Sequence, residues 1–123
     1  MDIQRLTQAE EEVMQYIWRL GRCTVSRILD EMGEPRPPHS SVSTIVRILE
    51  RKGFVSHNAY GRTHEYFATV SKDNYSRSRL RAFIESYFDD SPSALVSFLV
   101  RKDETSVDEL EQLIQELKKK KRI

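Results

Sequence analysis

Basic side chains concentrate in one stretch of the chain, between Arg36 and His64. This stretch holds five basic residues against a single acidic residue, Glu50, which gives a local charge of +4, whereas residues 1–34 hold four basic and seven acidic residues, a charge of −3. Because phosphate contacts supply much of the affinity of proteins for duplex DNA, such a segment is typical of a nucleic-acid surface. The net charge of the whole chain, +1, gives no such signal, so only the position of the charges along the chain indicates nucleic-acid binding.

Within this stretch, small hydroxyl side chains come first and arginines follow at helical spacing. Small residues at the start of a helix allow close approach to base edges in the major groove, and arginines further along reach bases or phosphates. An arginine at the tip of a hairpin suits the DNA backbone or the minor groove. The predicted DNA-binding residues are Ser40, Ser41, Ser43, Thr44, Arg47, Arg51, Lys52, Arg62 and His64.

Residue patterns typical of enzymes are missing from the sequence. It has no glycine-rich phosphate loop, no G-x-S-x-G and no H-E-x-x-H, so we expect neither an enzyme nor a cofactor. His57 and His64 would lie opposite each other if the hairpin loop had four residues, close enough to share a metal ion, but two ligands alone do not make a site. The single cysteine, Cys23, excludes an internal disulfide and is expected to be a small buried hydrophobe.

Hydrophobic spacing predicts three helices in the first half of the chain. Thr7 and Glu10 form a capping-box pattern that starts the first helix, about residues 8–20. Thr24 caps the second, and three prolines then prevent the chain from continuing as helix. The third helix is expected to start near residue 40 or 41, with one buried stripe formed by Val42, Ile45, Val46 and Leu49.

Alternating aromatic and polar residues after Gly53 predict two strands around a loop that contains Tyr60 and Gly61. Residues 22–25 are expected to add a short edge strand. Three helices followed by a hairpin make a winged helix-turn-helix. We therefore predict a mainly α fold with a small antiparallel sheet (α+β), in which residues 1–70 form a winged-helix DNA-binding domain.

Residues 71–123 show helical patterns alone and are predicted to form a helical dimerisation domain. Each of these helices has an apolar face that would be exposed to solvent in a single copy of the chain. A second copy would cover this face. A symmetric homodimer also presents two recognition helices to successive major grooves of a palindromic operator. The predicted dimer interface comprises Phe83, Tyr87, Leu95, Phe98, Leu99, Leu110, Leu113, Ile114 and Leu117.

The sequence has no apolar run of about 18 residues and no charged-then-apolar leader at its N-terminus. These features predict a cytoplasmic protein without membrane insertion.

Four segments resemble the BlaI/MecI penicillinase-repressor family, and together they span nearly the whole chain. They are "LTQAEEEVMQYIW" at 6–18, "SVSTIVRILERKGFV" at 41–55, "GRTHEYF" at 61–67 and "LVSFLVRKDETSVDELEQL" at 95–113. The resemblance implies a homodimeric transcriptional repressor that binds palindromic operators, often of β-lactam resistance genes. It also implies release through a membrane sensor-protease pathway that cuts an Asn-Phe bond in the dimerisation region, and the matching bond here is Ser97-Phe98.

A second hypothesis uses the same fold for a different function. A winged helix can serve as a protein-protein interaction module without specific DNA binding, with its basic face meeting an acidic partner. Salt dependence on random duplex separates the two hypotheses, because phosphate contacts make DNA affinity fall steeply with salt.

Overall fold

The computed structural model describes residues 3–102 and 106–121, which form six helices and three strands. In chain order they are α1 (Gln8–Leu20), β1 (Arg22–Cys23), α2 (Val25–Met32), α3 (His39–Arg51), β2 (Val55–Tyr60), β3 (Thr63–Ala68), α4 (Lys72–Tyr87), α5 (Pro92–Arg101) and α6 (Val107–Lys121). The predicted fold class is confirmed. The chain divides into two compact units with the boundary between Arg79 and Leu80, inside α4. The outer ends of the two predicted domains, residues 1–2 and 122–123, lie outside the described residues.

Reciprocal hydrogen bonds start α1 at the predicted place. The hydroxyl of Thr7 accepts from the backbone N–H of Glu10 at 3.2 Å, and Oε1 of Glu10 accepts from the backbone N–H of Thr7 at 2.9 Å. Both bonds satisfy N–H groups that lack partners within the helix, so this pair fixes where the helix begins.

The two helices of the helix-turn-helix, α2 and α3, also form where the pattern predicts them. The hydroxyl of Thr24 accepts from the N–H of Arg27 and caps α2. Pro38 stands at the N-cap of α3, which therefore begins at His39, slightly earlier than predicted. Three residues of the predicted stripe are buried and Ile45 is partly buried; the buried ones are Val42, Val46 and Leu49.

The sheet has the strand order β1-β3-β2 and is antiparallel throughout. Only Gly61 and Arg62 separate the two strands of the hairpin, and Gly61 has a positive φ of 63° that suits a tight turn. The four-residue loop considered from the sequence is wrong. His57 is paired with Tyr66 across the strands, and His64 is its diagonal neighbour.

The core of the first unit lies between α1, α2, α3 and the sheet. Its fully buried side chains are Val13, Met14, Ile17, Ile28, Val42, Val46, Leu49 and Phe54. Burying an aliphatic or aromatic side chain of this size contributes about 1.5–3 kcal/mol to the free energy of folding. Burial of this set therefore stabilises the packing of the helices on the sheet. Cys23 is buried as predicted, and burial raises the pKa of its thiol to about 11.

The first turns of α4 belong to the same unit through Tyr75. Its ring packs on Trp18 and Phe54, with ring centroids 5.8 and 5.7 Å apart, and its hydroxyl accepts from the N–H of Leu6 and donates to the Glu11 carboxylate. The indole N–H of Trp18 donates to the carbonyl of Val70 at 2.9 Å. The winged-helix core thus extends past residue 70 into α4.

The second unit contains the end of α4 together with α5 and α6. Serine hydroxyls cap the latter two helices: Ser91 accepts from the N–H of Ala94, and Ser106 accepts from the N–H of Glu109. No helix in the described parts of the chain is long and apolar enough to cross a membrane.

An ion pair joins the start of α1 to the residue after α3. Nζ of Lys52 lies 2.8 and 3.0 Å from the two carboxylate oxygens of Glu10, whose side chain is only 8% exposed. Burial by itself would raise the pKa of Glu10, but the hydrogen bonds from Lys52 and Thr7 outweigh it and hold this pKa below its ordinary value of 4.5. The pair therefore stabilises the folded state while the carboxylate is ionised.

Replacing Lys52 by alanine is expected to lower the free energy of unfolding by about 2 kcal/mol, because it leaves a buried carboxylate without its cation. Arg51→Ala, an exposed change at the neighbouring position, is the matched control and should stay within about 0.5 kcal/mol of the parent. Urea denaturation followed by the fluorescence of Trp18, the sole tryptophan, measures both.

The same experiment has a pH arm. A carboxyl whose pKa is lowered by folding stabilises the protein above its unfolded pKa, and this contribution is lost as the pH falls through the lowered value. The difference between parent and Lys52→Ala should therefore shrink below pH 4.5. Equal stability of the parent and Lys52→Ala at neutral pH would contradict the role assigned to the pair.

Candidate nucleic-acid interface

The outer face of α3 carries hydroxyl groups near its start and arginines toward its end. Ser40, Ser41, Thr44, Arg47 and Arg51 are exposed, and Ser43 is partly exposed. The hydroxyl of Thr44 donates to the carbonyl of Ser40 at 2.8 Å, and the guanidinium of Arg47 donates to the hydroxyl of Ser43 at 3.2 Å. Because these partners are neutral, they orient the side chains without cancelling the charge of Arg47.

Two cations of the predicted set, Arg51 and Arg62, are exposed at the edges of this surface. Arg51 ends α3, and Arg62 lies in the two-residue turn of the hairpin. Across the described residues, neither guanidinium forms an ion pair with a carboxylate. Both charges are therefore available to phosphates.

A polar cleft of about 260 Å³ opens between the start of α2, the start of α3 and the hairpin. Its lining residues are Thr24, Val25, Ser26, His39, Ser43, Arg62, Thr63, His64 and Tyr66. None of them is acidic, and they present hydroxyl, imidazole and guanidinium groups, which are the donors that bind phosphate oxygens.

Six residues of the cleft lining are missing from the predicted DNA-binding set; they are Thr24, Val25, Ser26, His39, Thr63 and Tyr66. The charge pattern gave no signal for them, since five are uncharged and His39 precedes the predicted helix. The one available signal was the helix-turn-helix itself, which places the start of α2 near α3.

Lys52 lies elsewhere than the sequence argument placed it. Its ammonium is held by Glu10, and its side chain is only 22% exposed. Helical spacing put Lys52 next to Arg51, but the residue is the C-cap of α3 and not part of its outer face. We therefore assign Lys52 to the core ion pair and not to the DNA surface.

The two histidines of the hairpin stack on each other although they are not directly paired. Their ring centroids are 4.2 Å apart with an interplanar angle of 13°, and Nδ1 of His57 lies 2.7 Å from Oε2 of Glu50. Tyr66 packs against both rings, and its pKa is raised by burial and by the nearby Glu50 carboxylate. No group of three or more metal-ligating side chains occurs within the described part of the chain.

The predicted dimer-interface residues lie on α4, α5 and α6, and most of them are exposed in the single chain. Phe83, Tyr87, Phe98, Leu113, Ile114 and Leu117 are exposed, and Leu95, Leu99 and Leu110 are partly exposed. Ser97 and Phe98, the residues of the candidate cleavage bond, lie in the middle of α5 and are both exposed.

The chain is similar to known proteins over nearly its whole length. A family model described as "Penicillinase repressor" matches residues 6–119. The methicillin resistance regulatory protein MecI of Mammaliicoccus sciuri is 27% identical over 116 residues, which cover 94% of each chain. The penicillinase repressor of Bacillus licheniformis is 23% identical over 120 residues, which cover 97% of this chain and 94% of the relative.

A solved structure shares the fold. The solution structure of the DNA binding domain of the repressor BlaI covers 61% of this chain and 94% of that domain, with a TM-score of 0.52 and 25% identity. The winged-helix fold predicted from the sequence is confirmed by this similarity.

Proposed function

This chain belongs to the penicillinase repressor family, the BlaI/MecI family that its motifs resemble, and from that premise we propose that it is a homodimeric transcriptional repressor that binds a palindromic operator. The observation that carries the proposal is the outer face of α3 with the adjoining cleft, which carry exposed hydroxyls and the guanidinium groups of Arg47, Arg51 and Arg62. Double-stranded DNA is the partner that such a face fits, since hydroxyls approach base edges and guanidinium groups bind phosphates or guanine.

The two kinds of residue on α3 are proposed to have different roles. Arg51, at the end of the helix, contacts phosphate and supplies affinity for any sequence. Thr44, near the middle, approaches base edges and supplies discrimination. Arg62 extends the contact to the backbone or to the minor groove beside the hairpin.

Arg51→Ala should weaken binding to specific and random duplexes by the same factor and reduce the slope of log affinity against log salt by about one. Thr44→Ala should instead lower the ratio of specific to random affinity, by about tenfold. Arg19→Ala is the control, because Arg19 lies on α1 and is already paired with Glu31 at 3.1 Å. Fluorescence anisotropy against an operator selected from random fragments measures all three.

The outcome also decides between DNA and an acidic protein as the partner. Affinity of the parent for random duplex that does not change with salt would favour the protein-interaction module. Equal loss of discrimination from Arg51→Ala and Thr44→Ala would contradict the assigned roles.

The second unit supports a dimer through the apolar side chains that it exposes. In the single chain Tyr87 is 73% exposed, Leu117 59% and Leu113 52%. Helices this short are marginal in water without a covered apolar face, and large apolar patches on small proteins mark interaction sites. A second copy presents the same patch, so a symmetric pairing covers both at once.

Leu113→Glu is expected to shift the dimer toward monomer, raising the dissociation constant at least about a hundredfold, because symmetry places the change twice in one interface. Gln112→Glu adds the same charge at the neighbouring position and serves as the control. Analytical ultracentrifugation should show the control as a dimer. A Leu113→Glu protein that sediments like the control would refute this interface.

Release is proposed to follow cleavage at Ser97-Phe98 by the protease of a membrane sensor pathway. The bond lies inside α5, so a protease needs that helix to open locally before it can bind the chain in extended form. Cleavage there separates α6, with Leu110, Leu113 and Leu117, from the rest of the chain. The cut therefore removes a large part of the proposed interface.

Mass spectrometry of the repressor from induced cells should show two fragments that meet at Ser97-Phe98. Ser97→Asp changes the residue before the bond at an exposed position outside the predicted dimer interface, and should leave the repressor uncut and its targets repressed. Intact repressor in cells whose target genes are expressed would contradict proteolytic release.

A further inference from the structure

Two successive contacts lead from α3 to the surface of the hairpin: Glu50 contacts His57, and His57 contacts His64. Oε2 of Glu50 lies 2.7 Å from Nδ1 of His57, and the ring of His57 stacks on that of His64 at 4.2 Å. His57 and Glu50 are partly buried, whereas His64 is exposed and lines the cleft with Arg62 and Ser43. The two partly buried residues thus lie behind the one that reaches the cleft.

The geometry restricts the orientation of both rings. With Nδ1 of His57 donating to a carboxylate, the ring plane of His57 is fixed by that bond and by Tyr66, whose ring centroid lies 5.4 Å away. His64 stacks on this fixed ring at an interplanar angle of 13°. The orientation of His64 therefore depends on Glu50, a residue that the sequence suggested only as a stray negative charge.

The charges around the stack come from every neighbouring element. Glu50 and Arg47 face it from α3, Tyr66 from β3, and Arg62 and His39 from the cleft. His39 and His64 line the cleft, and His57, the third histidine of the chain, lies behind His64. Histidine is the side chain that changes charge between about pH 5 and 8, and the one thiol is far from titrating there because its pKa is raised to about 11.

We propose that Glu50 and His57 are positioning residues that hold His64 against a DNA phosphate, and that the stacked pair takes up a proton from solvent when DNA binds. The proposal rests on the DNA-binding function proposed above. A phosphate oxygen beside His64 favours the protonated imidazole by charge attraction, so the complex holds more protons than its parts.

Proton uptake gives binding a defined dependence on pH. Affinity falls as the pH rises, by at most tenfold per pH unit for each proton taken up, so we expect a three- to tenfold loss per unit between about pH 6 and 7.5. Random-sequence duplex of about 24 base pairs is the probe, since the phosphate contact does not need a specific operator. Anisotropy at constant salt gives the slope, and calorimetry in buffers of different ionisation enthalpy counts the protons.

Four variants separate the effect of the stacked histidines from that of the other cations in the cleft. His64→Gln should abolish most of the slope of log affinity against pH. Glu50→Gln should reduce this slope, because glutamine can still accept a hydrogen bond from His57 but brings no charge. Arg62→Gln is the control: it removes a cation from the same cleft and should weaken binding at every pH while it keeps the slope. His39→Gln should also keep the slope, which assigns the proton to the stack.

The outcomes are distinguishable from failure of the proposed function. A parent that binds duplex with the same affinity across this pH range, or a His64→Gln protein that keeps the full slope, overturns the inference and leaves DNA binding intact. A parent that binds no duplex at any pH defeats both. A slope that is lost in His64→Gln and kept in Arg62→Gln establishes the role of the stack.

Discussion

The structure of the first unit depends on one constraint, which is that α3 packs through a single stripe. Val42, Val46 and Leu49 are buried, and their spacing determines which residues of the helix must face outward. A side chain at position 44 or 47 cannot turn inward without displacing this stripe. The outer face of α3, which is proposed to contact DNA, is therefore a consequence of core packing. The residues on this face need no structural role of their own.

The C-terminal end of α3 is fixed by contacts that leave its outer face open. At its end, the Lys52 ammonium is bound to Glu10 at the start of α1, and the N–H of Phe54 donates to the carbonyl of Leu49. The hairpin then begins at once, and its two-residue turn sets the register that brings His64 beside His57. A loop longer or shorter by one residue would change which residues share the face toward α3, because strand side chains alternate. Helix position and hairpin register are thus set together.

The sequence predicted the elements of this fold well, because their signals are local. Capping at Thr7 and Thr24 and the apolar stripe of α3 depend on residues within a few positions of each other, and the structure has all of them. The errors arise where contacts join distant residues. Lys52 pairs with Glu10 across 42 positions. No periodicity in the sequence indicates that a cation at the end of one helix is bound to a carboxylate of another helix. The histidine stack and the cleft depend on the turn length, which the glycine alone did not determine.

The two units differ in how completely each covers its own apolar side chains, and this difference would connect the proposed dimer to the proposed DNA binding. The first unit has a closed core, whereas in the second Ile84 is buried and Leu80, Leu113 and Leu117 are largely exposed. In the proposed dimer the partner copy completes the second unit, and the two first units are then held at a high effective concentration for paired half-sites. Affinity for the operator then depends on contacts that are not at the DNA. The proposed cut inside α5 would act on those contacts and leave the outer face of α3 intact, so repression would end without any change in the residues proposed to recognise DNA.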